Sequence, residues 1–356
     1  MMTTKIQAIP TNLITGFLGS GKTTAILNLL RTRPENSRWA VLVNEFGDVG
    51  IDGAMLEKEQ LNDGVFIKEV PGGCLCCAAG LPLQIALNLL IKKAAPDRIL
   101  IEPTGVGHPK KVLDVLTGEF YQSVLDLKAT ICLVEAHKLT QAKYLDNETF
   151  IDQLNIADIV LASKSDQATE EELKHFYQFF QSYDIPKDHV NSIEFGEFSA
   201  ELLDIERNIQ RCVTFPDAHS HSHSHQTHVH KTHVDKKRTE IEQIEEIQQE
   251  ISADDDYSWQ KFENNGQGYY GCGWIFSHSI IFDEDKLENF VKNDSFSRVK
   301  GIFHTNNNWL LFNRSEQDFT KEKLSQSADS RIEIIEPDYH DWNLVEEQLL
   351  ACIYSN

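Results

Sequence analysis

Residues 13–24 read LITGFLGSGKTT, and this stretch decides the fold. Gly16, Gly21, Lys22 and Thr23 fit the pattern G-x-x-x-x-G-K-[ST], which is typical of a phosphate-binding loop between a strand and a helix. Glycines let successive backbone N–H groups turn toward an anion, and the following helix adds the positive end of its dipole. The stretch therefore predicts a nucleotide site on a strand–loop–helix unit.

The residues of this loop have separate expected roles. Lys22 is expected to reach the β- and γ-phosphates, and the Thr23 hydroxyl is expected to ligate Mg²⁺. The other nucleotide-binding candidates in the loop are Gly16, Phe17, Leu18, Gly19, Ser20, Gly21 and Thr24. The motif alone leaves open whether the nucleotide is ATP or GTP.

Strand-like and helix-like segments alternate through the first half of the chain. Apolar runs predict strands at residues 39–44, 65–70, 98–102, 130–135 and 158–163, and helical patterns lie at 81–93, 109–116 and 170–180. Such alternation is typical of a doubly wound α/β fold with a largely parallel sheet. Ligands of these folds bind at the carboxyl ends of the strands, which is where the phosphate loop, Glu102 and Ser163 fall.

Composition limits the classes of partner. The chain has 356 residues and a formal net charge of −22, which argues against binding to nucleic acid or to an anionic membrane. The longest apolar runs are too short to cross a bilayer, and the N-terminus lacks the apolar region of a signal peptide. Seven cysteines, three of them crowded together, do not resemble a secreted disulfide framework. We therefore expect a cytoplasmic protein.

The character of the sequence changes near residue 215. Residues 216–234 contain seven of the fourteen histidines, and an acidic segment with isoleucines at helical spacing follows. Beyond residue 271 the pattern is rich in strands with one or two helices. We predict a P-loop domain at 1–215, a His-rich linker with an acidic amphipathic helix at 216–256, and a smaller α+β domain at 257–356.

Polar residues follow three of the predicted strands. Glu45 and Asp48 follow the second strand, where a carboxylate could hold a metal or orient the attacking water, although a plain polar turn is an equal reading. Glu102 begins the sequence EPTG, and P-loop proteins place an acidic residue near Mg²⁺ and a γ-phosphate-sensing loop at this point.

Residues 163–166 read SKSD and resemble the guanine-reading pattern N-K-x-D. Lys164 and Asp166 are present, so the Asp can accept bonds from guanine while the Lys stem covers the base. Ser163 stands in place of Asn, which weakens the case for GTP over ATP without removing it. An ordinary solvated turn is the alternative.

Three cysteines in a glycine-rich loop, Cys74, Cys76 and Cys77, indicate a metal site. Zn²⁺ prefers four thiolate or imidazole ligands, so Asp48, water or a client protein would supply the fourth. Cu(I) would also suit sulfur, while a redox pair and three inert buried thiols are the alternatives.

A histidine tract offers weak zinc ligands on what reads as a flexible chain. A linker with incidental metal affinity is the other reading. Its histidines are His219, His221, His223, His225, His228, His230 and His233.

The segments GFLGSGKTT, VNEFGDVGID, PGGCLCC, LIEPTGVGHP and SKSD, in this order, resemble the CobW family of P-loop GTPases, which act in metal homeostasis. The resemblance implies GTP or GDP, Mg²⁺ and Zn²⁺ as ligands, and Lys22, Thr23, Glu45 and Glu102 as the catalytic set. It also implies that residues 102–105, including Gly105, sense the γ-phosphate, that Cys76 is the foremost zinc ligand and that Lys164 and Asp166 read guanine. Val43 departs from the family pattern where some members carry another metal-binding carboxylate.

The resemblance implies a zinc metallochaperone whose GTP hydrolysis is coupled to delivery of Zn²⁺ to a client metalloprotein. Two alternatives stay open: a zinc buffer in which the nucleotide is only structural, and a cobalt or nickel insertase for a cofactor pathway. A homo-oligomer that depends on nucleotide or metal is compatible with each of them.

Overall fold

The computed structural model describes residues 8–44, 64–70, 81–214, 259–266, 269–293, 295–315, 318–324 and 327–354. Within these ranges the chain forms two units, each built on its own sheet. The strands and helices predicted for the first half are all present, and their ends differ from the prediction by at most one residue.

The first sheet is parallel. Its described strands are β1 (Ile9–Gly16), β2 (Trp39–Asn44), β3 (Val65–Val70), β4 (Arg98–Glu102), β5 (Leu125–Leu127), β6 (Ile131–Glu135), β7 (Ile159–Ser163) and β8 (His189–Ser192). They lie in the order β3-β2-β4-β1-β6-β7-β8, with β5 beside β1, and every described pair is parallel. The predicted doubly wound α/β architecture is confirmed.

Helices cover both faces of this sheet, as the buried apolar strands require. The α-helices are α1 (Lys22–Thr32), Leu81–Ala94, Pro109–Leu116, Ala142–Leu145, Glu148–Ile156 and Glu170–Gln181, with 3₁₀ turns at Ala136–Thr140 and Ala200–Asp204. Neighbouring residues of β1 point to opposite faces, since Leu13 packs into one buried cluster and Ile14 into another. A double-sided core of this kind fixes the carboxyl ends of β1, β2, β4 and β7 along one edge.

The second unit is an antiparallel sheet with two described helices, Glu284–Val291 and Trp342–Leu350. Its strands are β9 (Trp259–Gly266), β10 (Tyr269–Phe276), β11 (Arg298–His304), β12 (Trp309–Ser315), β13 (Asp318–Leu324) and β14 (Ser330–Glu336), in the order β13-β12-β11-β14-β10-β9. Trp274, Phe282 and Phe303 lie fully buried in its aromatic core. The predicted smaller α+β unit is confirmed.

The exact domain boundaries stay predictions. The His-rich linker and the acidic helix of 216–256 lie outside the described residues. Of the helices that the structure describes, none has the length and apolar character needed to traverse a bilayer.

Candidate nucleotide and metal site

The loop between β1 and α1 folds around the side chain of Lys22. Positive φ angles of 144°, 77° and 82° occur at its glycines, Gly16, Gly19 and Gly21. The Lys22 ammonium donates to the carbonyl oxygens of Gly16 at 2.9 Å and Phe17 at 3.3 Å. Burial lowers the pKa of Lys22 to about 8, and the nearby Glu102 carboxylate opposes this change. The backbone thus presents a cationic side chain inside a turn suited to anions.

Thr23 and Glu102 form a pair at the start of α1. The Thr23 hydroxyl donates to Glu102 Oε1 at 3.0 Å. Glu102 is buried at the end of β4, and its Oε2 atom has no hydrogen-bond partner among the residues that the structure describes. Burial raises the pKa of this carboxyl. A hydroxyl beside a buried carboxylate oxygen is a donor set that fits Mg²⁺.

The segment after β4 packs directly on the phosphate loop. A Cβ atom on Gly105 would lie 2.7 Å from the backbone nitrogen of Leu18, so only glycine fits at this approach. The Gln153 side-chain amide donates to the Gly105 carbonyl oxygen at 3.0 Å. This contact holds the predicted γ-phosphate-sensing loop against the phosphate loop.

A buried contact between His108 and Asp152 supports the same segment. His108 Nε2 lies 2.9 Å from Asp152 Oδ2, and both side chains are almost fully buried. Asp152 Oδ1 accepts a bond from the backbone nitrogen of Thr214 at 2.6 Å. The helix Glu148–Ile156 therefore anchors the loop that starts at Glu102.

The predicted base-reading residues follow β7. Ser163 is buried, and Lys164 has a positive φ of 53°. The Lys164 ammonium lies 3.1 Å from Glu135 Oε2 and also pairs with Asp318 of the second sheet. Lys164 is thus held at the boundary between the two units.

The structure brings the predicted nucleotide residues other than Gly16 and Phe17 to one cavity of about 430 Å³. Its lining includes Leu18 to Thr24, Glu102 to Gly105, and the Ser163, Lys164 and Asp166 side chains. Three buried hydroxyl oxygens on its wall have no hydrogen-bond partner within the described ranges; they belong to Ser20, Thr104 and Ser163. Phe17 differs, because its ring is buried in an apolar cluster. Phe17 can therefore meet a nucleotide only through its backbone.

Sequence reasoning missed several residues that shape this site. Lys138 is buried and donates to the Leu18 carbonyl oxygen at 2.8 Å while it pairs with Glu135 at 2.6 Å. Arg298 and Lys300 of the second sheet also line the cavity. The basic residues of the segment RVKGIF were the available signal for the last two, but nothing local in that segment points to a nucleotide.

The metal candidates Glu45, Asp48, Cys74, Cys76, Cys77 and the seven histidines of residues 219–233 lie outside the described residues. Within the described part of the chain, no group of three or more His, Cys, Asp or Glu side chains is arranged to hold a metal ion. The register pairs Asn44 of β2 with Val70 of β3, and Val43 of β2 with Glu102 of β4. β2, which precedes Glu45 and Asp48 in the sequence, and β3, which precedes the three cysteines, therefore end side by side near Glu102.

The four described cysteines, Cys132, Cys212, Cys272 and Cys352, do not line the described cavity. Burial raises the pKa of Cys132 to about 12 and that of Cys352 to about 11, so neither thiol is ionised near neutral pH. Val43, where a carboxylate would give a further ligand, is buried in the core of the parallel sheet. A metal at this edge would have to draw on the loops after β2 and β3.

Comparison with known proteins assigns the chain to a family. The model of the CobW/HypB/UreG nucleotide-binding domain matches residues 10–185. The chain is also 41% identical over 341 residues to the zinc chaperone YeiR of Escherichia coli K12, across 96% of this chain and 97% of that protein. The chain belongs to the CobW family.

Two further similarities are at lower sequence identity. The zinc chaperone CobW of Sinorhizobium is 28% identical over 220 residues, which cover 55% of this chain and 62% of that protein. The crystal structure of Zn(II)-bound YjiA GTPase from E. coli aligns with 97% of this chain and 99% of that chain, at 19% identity and a TM-score of 0.42. The CobW family match runs from β1 to beyond the helix Glu170–Gln181, so it includes the phosphate loop, Glu102 and Asp166.

Proposed function

We propose that this chain is a cytoplasmic GTPase that hydrolyses GTP to GDP and phosphate and couples hydrolysis to the delivery of Zn²⁺ to a client metalloprotein. The cavity carries the proposal, because one lining combines the phosphate loop, the Thr23–Glu102 pair and the Lys164–Asp166 turn. The relatives named zinc chaperones, and the relative whose crystal structure is described as a Zn(II)-bound GTPase, support the same function.

Hydrolysis in this cavity would depend on positioning and charge. Lys22 would leave the carbonyl oxygens of its own loop to bind the β- and γ-phosphates. Thr23 and Glu102 would hold Mg²⁺, which when bound neutralises charge on these phosphates. Thr104 and Gly105 would lie beside the γ-phosphate, and we assign the orientation of the attacking water to Glu45.

The strand order supports coupling between zinc and nucleotide. The loop with Cys74, Cys76, Cys77 and the loop with Asp48 would together bind the zinc cargo, and they start at neighbouring strands. Since β2 also pairs with β4, a change in either loop would act on the strand that carries Glu102. Zinc can favour one nucleotide state only if it binds the two states with different affinity, and the effect on binding must be reciprocal.

The first test measures GTP hydrolysis by metal-free protein with and without one equivalent of Zn²⁺, with ATP as the control nucleotide. Cys76→Ala is compared with Cys212→Ala, because Cys212 is an exposed thiol outside the candidate metal site. We expect zinc to change the GTP rate in the unmutated chain and in Cys212→Ala, but not in Cys76→Ala. We also expect a non-hydrolysable GTP analogue to change the zinc Kd by about fivefold or more.

Other outcomes would redirect the assignment. A rate that ignores zinc, together with tight stoichiometric zinc binding, would favour the zinc buffer. Equal use of ATP would show that Ser163 removes guanine selection. Displacement of zinc from the cysteines by Co²⁺ or Ni²⁺ would favour the insertase. A client metalloprotein is also part of the proposal, and pull-down of a zinc-requiring enzyme would test it. A homo-oligomer that depends on nucleotide or metal is a further proposal, which size measurements with and without each ligand would test.

A further inference from the structure

The second sheet closes one side of the nucleotide cavity. Arg298 and Lys300 of β11, Ser315 of β12 and Asp318 of β13 line it together with the phosphate loop. Asp318 forms an ion pair with Lys164 across the two units. The phosphates of a bound nucleotide would therefore meet side chains from a distant part of the same chain.

The phosphate loop and the second sheet approach each other closely at Gly19. A Cβ atom at this residue would lie 2.2 Å from Ser315 Oγ and 3.7 Å from Arg298 Nη1. Gly19 also has a φ of 77°, which L-residues with side chains rarely adopt. The Arg298 guanidinium therefore lies beside the part of the loop that would surround the phosphates.

Apolar contacts hold the two units in this arrangement. The Phe17 ring lies 5.6 Å from Tyr144, 5.8 Å from Phe150 and 6.2 Å from Tyr269 of β10, measured between ring centroids. Ile335 of β14 is buried in the same cluster. Because Phe17 belongs to the phosphate loop itself, the cluster fixes the second sheet relative to that loop.

The charge of Arg298 acts on the two residues that define the phosphate end of the cavity. Burial is the main cause of the lowered pKa of Lys22, and the positive charge of Arg298 lowers it further. Burial raises the pKa of Glu102, while the charges of Lys22 and Arg298 oppose this change. Arg298 therefore lies close enough to both groups for its charge to affect them.

Carboxylates on the same wall have cationic neighbours of their own. Asp318 pairs with Lys164, and Glu333 lies directly opposite Lys300 in the register of β11 and β14. Glu322 is exposed on β13. Ser315 lies nearer to Gly19 than Arg298 does, but Arg298 is the charged residue of the two, so this wall brings a cation next to the phosphate loop.

We propose that Arg298 is a catalytic residue that the second sheet supplies in cis, by contacting the β- and γ-phosphate oxygens during hydrolysis. The inference rests on the proposed GTPase function and adds a residue to it. The planar guanidinium can donate to two oxygens at once, which a lysine ammonium cannot match in geometry.

In the reaction, a water oxygen forms a new bond to the γ-phosphorus, and the bond between that phosphorus and the β–γ bridging oxygen breaks. The electron pair of the broken bond stays on GDP, and the water proton passes to phosphate. Negative charge grows on the bridging oxygen and is spread over the γ-oxygens, where a fixed cation lowers the barrier. Arg298 would provide that cation without a partner protein.

The test compares Arg298→Ala and Arg298→Lys with the matched control Arg331→Ala in the full chain. Arg331 lies on the same sheet, pairs with Asp329 and does not line the described cavity. The readouts are single-turnover GTP hydrolysis, the Kd of a fluorescent GDP, and formation of the GDP–aluminium fluoride complex that mimics the transferring phosphate. Thermal unfolding checks that each variant is folded.

We expect Arg298→Ala to slow single-turnover hydrolysis by about tenfold or more, since arginines in this role contribute large factors. GDP affinity should change by less than about threefold, and the aluminium fluoride complex should be lost. Arg298→Lys should keep part of the rate, and Arg331→Ala should behave as the unmutated chain.

Three results would overturn the inference, and they can be told apart. An Arg298→Ala chain that hydrolyses GTP and forms the fluoride complex normally would make Arg298 structural. An equal loss of GDP and GTP affinity, with an unchanged rate for bound GTP, would make it a binding residue only. If the unmutated chain binds GTP but never hydrolyses it, the proposed function itself fails.

Discussion

Glu102 is a buried carboxylate with one oxygen that has no hydrogen-bond partner among the described residues, as expected for a ligand-binding residue. Its carboxylate bonds Thr23 with one oxygen, and burial raises its pKa, so the ionised form is disfavoured in the nucleotide-free chain. A residue held at this cost is typical of a functional site. The motif identified Glu102 from sequence because its position directly after an apolar strand is a local feature.

Glu102→Gln should raise the melting temperature of the nucleotide-free chain and remove the effect of Mg²⁺ on GDP release. Removing the charge ends the desolvation penalty, so we expect the nucleotide-free chain to melt about 2 °C higher or more. The same change should abolish the slowing of GDP release by Mg²⁺. Differential scanning fluorimetry and stopped-flow release of a fluorescent GDP measure the two effects.

Glu336→Gln is the control for this prediction. Glu336 is also a buried glutamate with a pKa raised by burial, but it bonds Ser297 and does not line the described cavity. In Glu336→Gln, Mg²⁺ should slow GDP release as much as it does in the unmutated chain. If Glu102→Gln still shows magnesium-dependent release, Glu102 does not hold the metal.

At the level of elements, the strands were easier to predict than the buried side-chain contacts that hold the loops between them. β2, β3 and β4 begin and end at the predicted residues because short apolar runs are bounded by polar or turn residues. The His108–Asp152 pair gave no such signal. Asp152 lies in the helix Glu148–Ile156, which the sequence analysis did not predict, and only the structure shows that the polar residues Asp152, Gln153 and Asn155 of this helix are buried.

Asp152→Ala should destabilise the chain by about 3 kcal/mol, because it removes the buried carboxylate that contacts His108 Nε2 and accepts a hydrogen bond from the Thr214 backbone nitrogen. Urea unfolding followed by circular dichroism measures the change. Asp114→Ala removes an exposed pair with Lys110 and should cost less than about 0.5 kcal/mol. Equal effects of the two substitutions would contradict a supporting role for the buried pair.

At the scale of the whole molecule, the packing of the second sheet against the phosphate loop could not be predicted from the sequence. The family pattern identified both units, but the close approach of Ser315 to Gly19 joins residues 296 positions apart in the chain (315 − 19). Periodicity reports which face of an element is buried, and it carries no information about which distant surface covers that face. The cavity is therefore a property of the assembled chain.

Deletion of residues 218–234 should separate metal capacity from hydrolysis. This segment holds the seven histidines of the tract, while every described residue that lines the cavity lies elsewhere. We expect fewer weakly bound zinc ions in equilibrium dialysis and a GTP rate within about twofold of the full chain. Complete loss of hydrolysis would show that the tract belongs to the catalytic unit.

The placement of β2 between β3 and β4 also has an electrostatic consequence. Neighbouring strands lie about 4.8 Å apart, so the ends of β3 and β4 are separated by about 10 Å. That distance is close to the Debye length of about 8 Å at physiological ionic strength. If zinc binds in the loop after Val70, as proposed, its charge would act on Glu102 through space to the extent that the protein between them excludes salt. The proposed zinc ion and a bound triphosphate would then affect each other's binding partly through their electrostatic interaction. Added salt would weaken that part of the coupling.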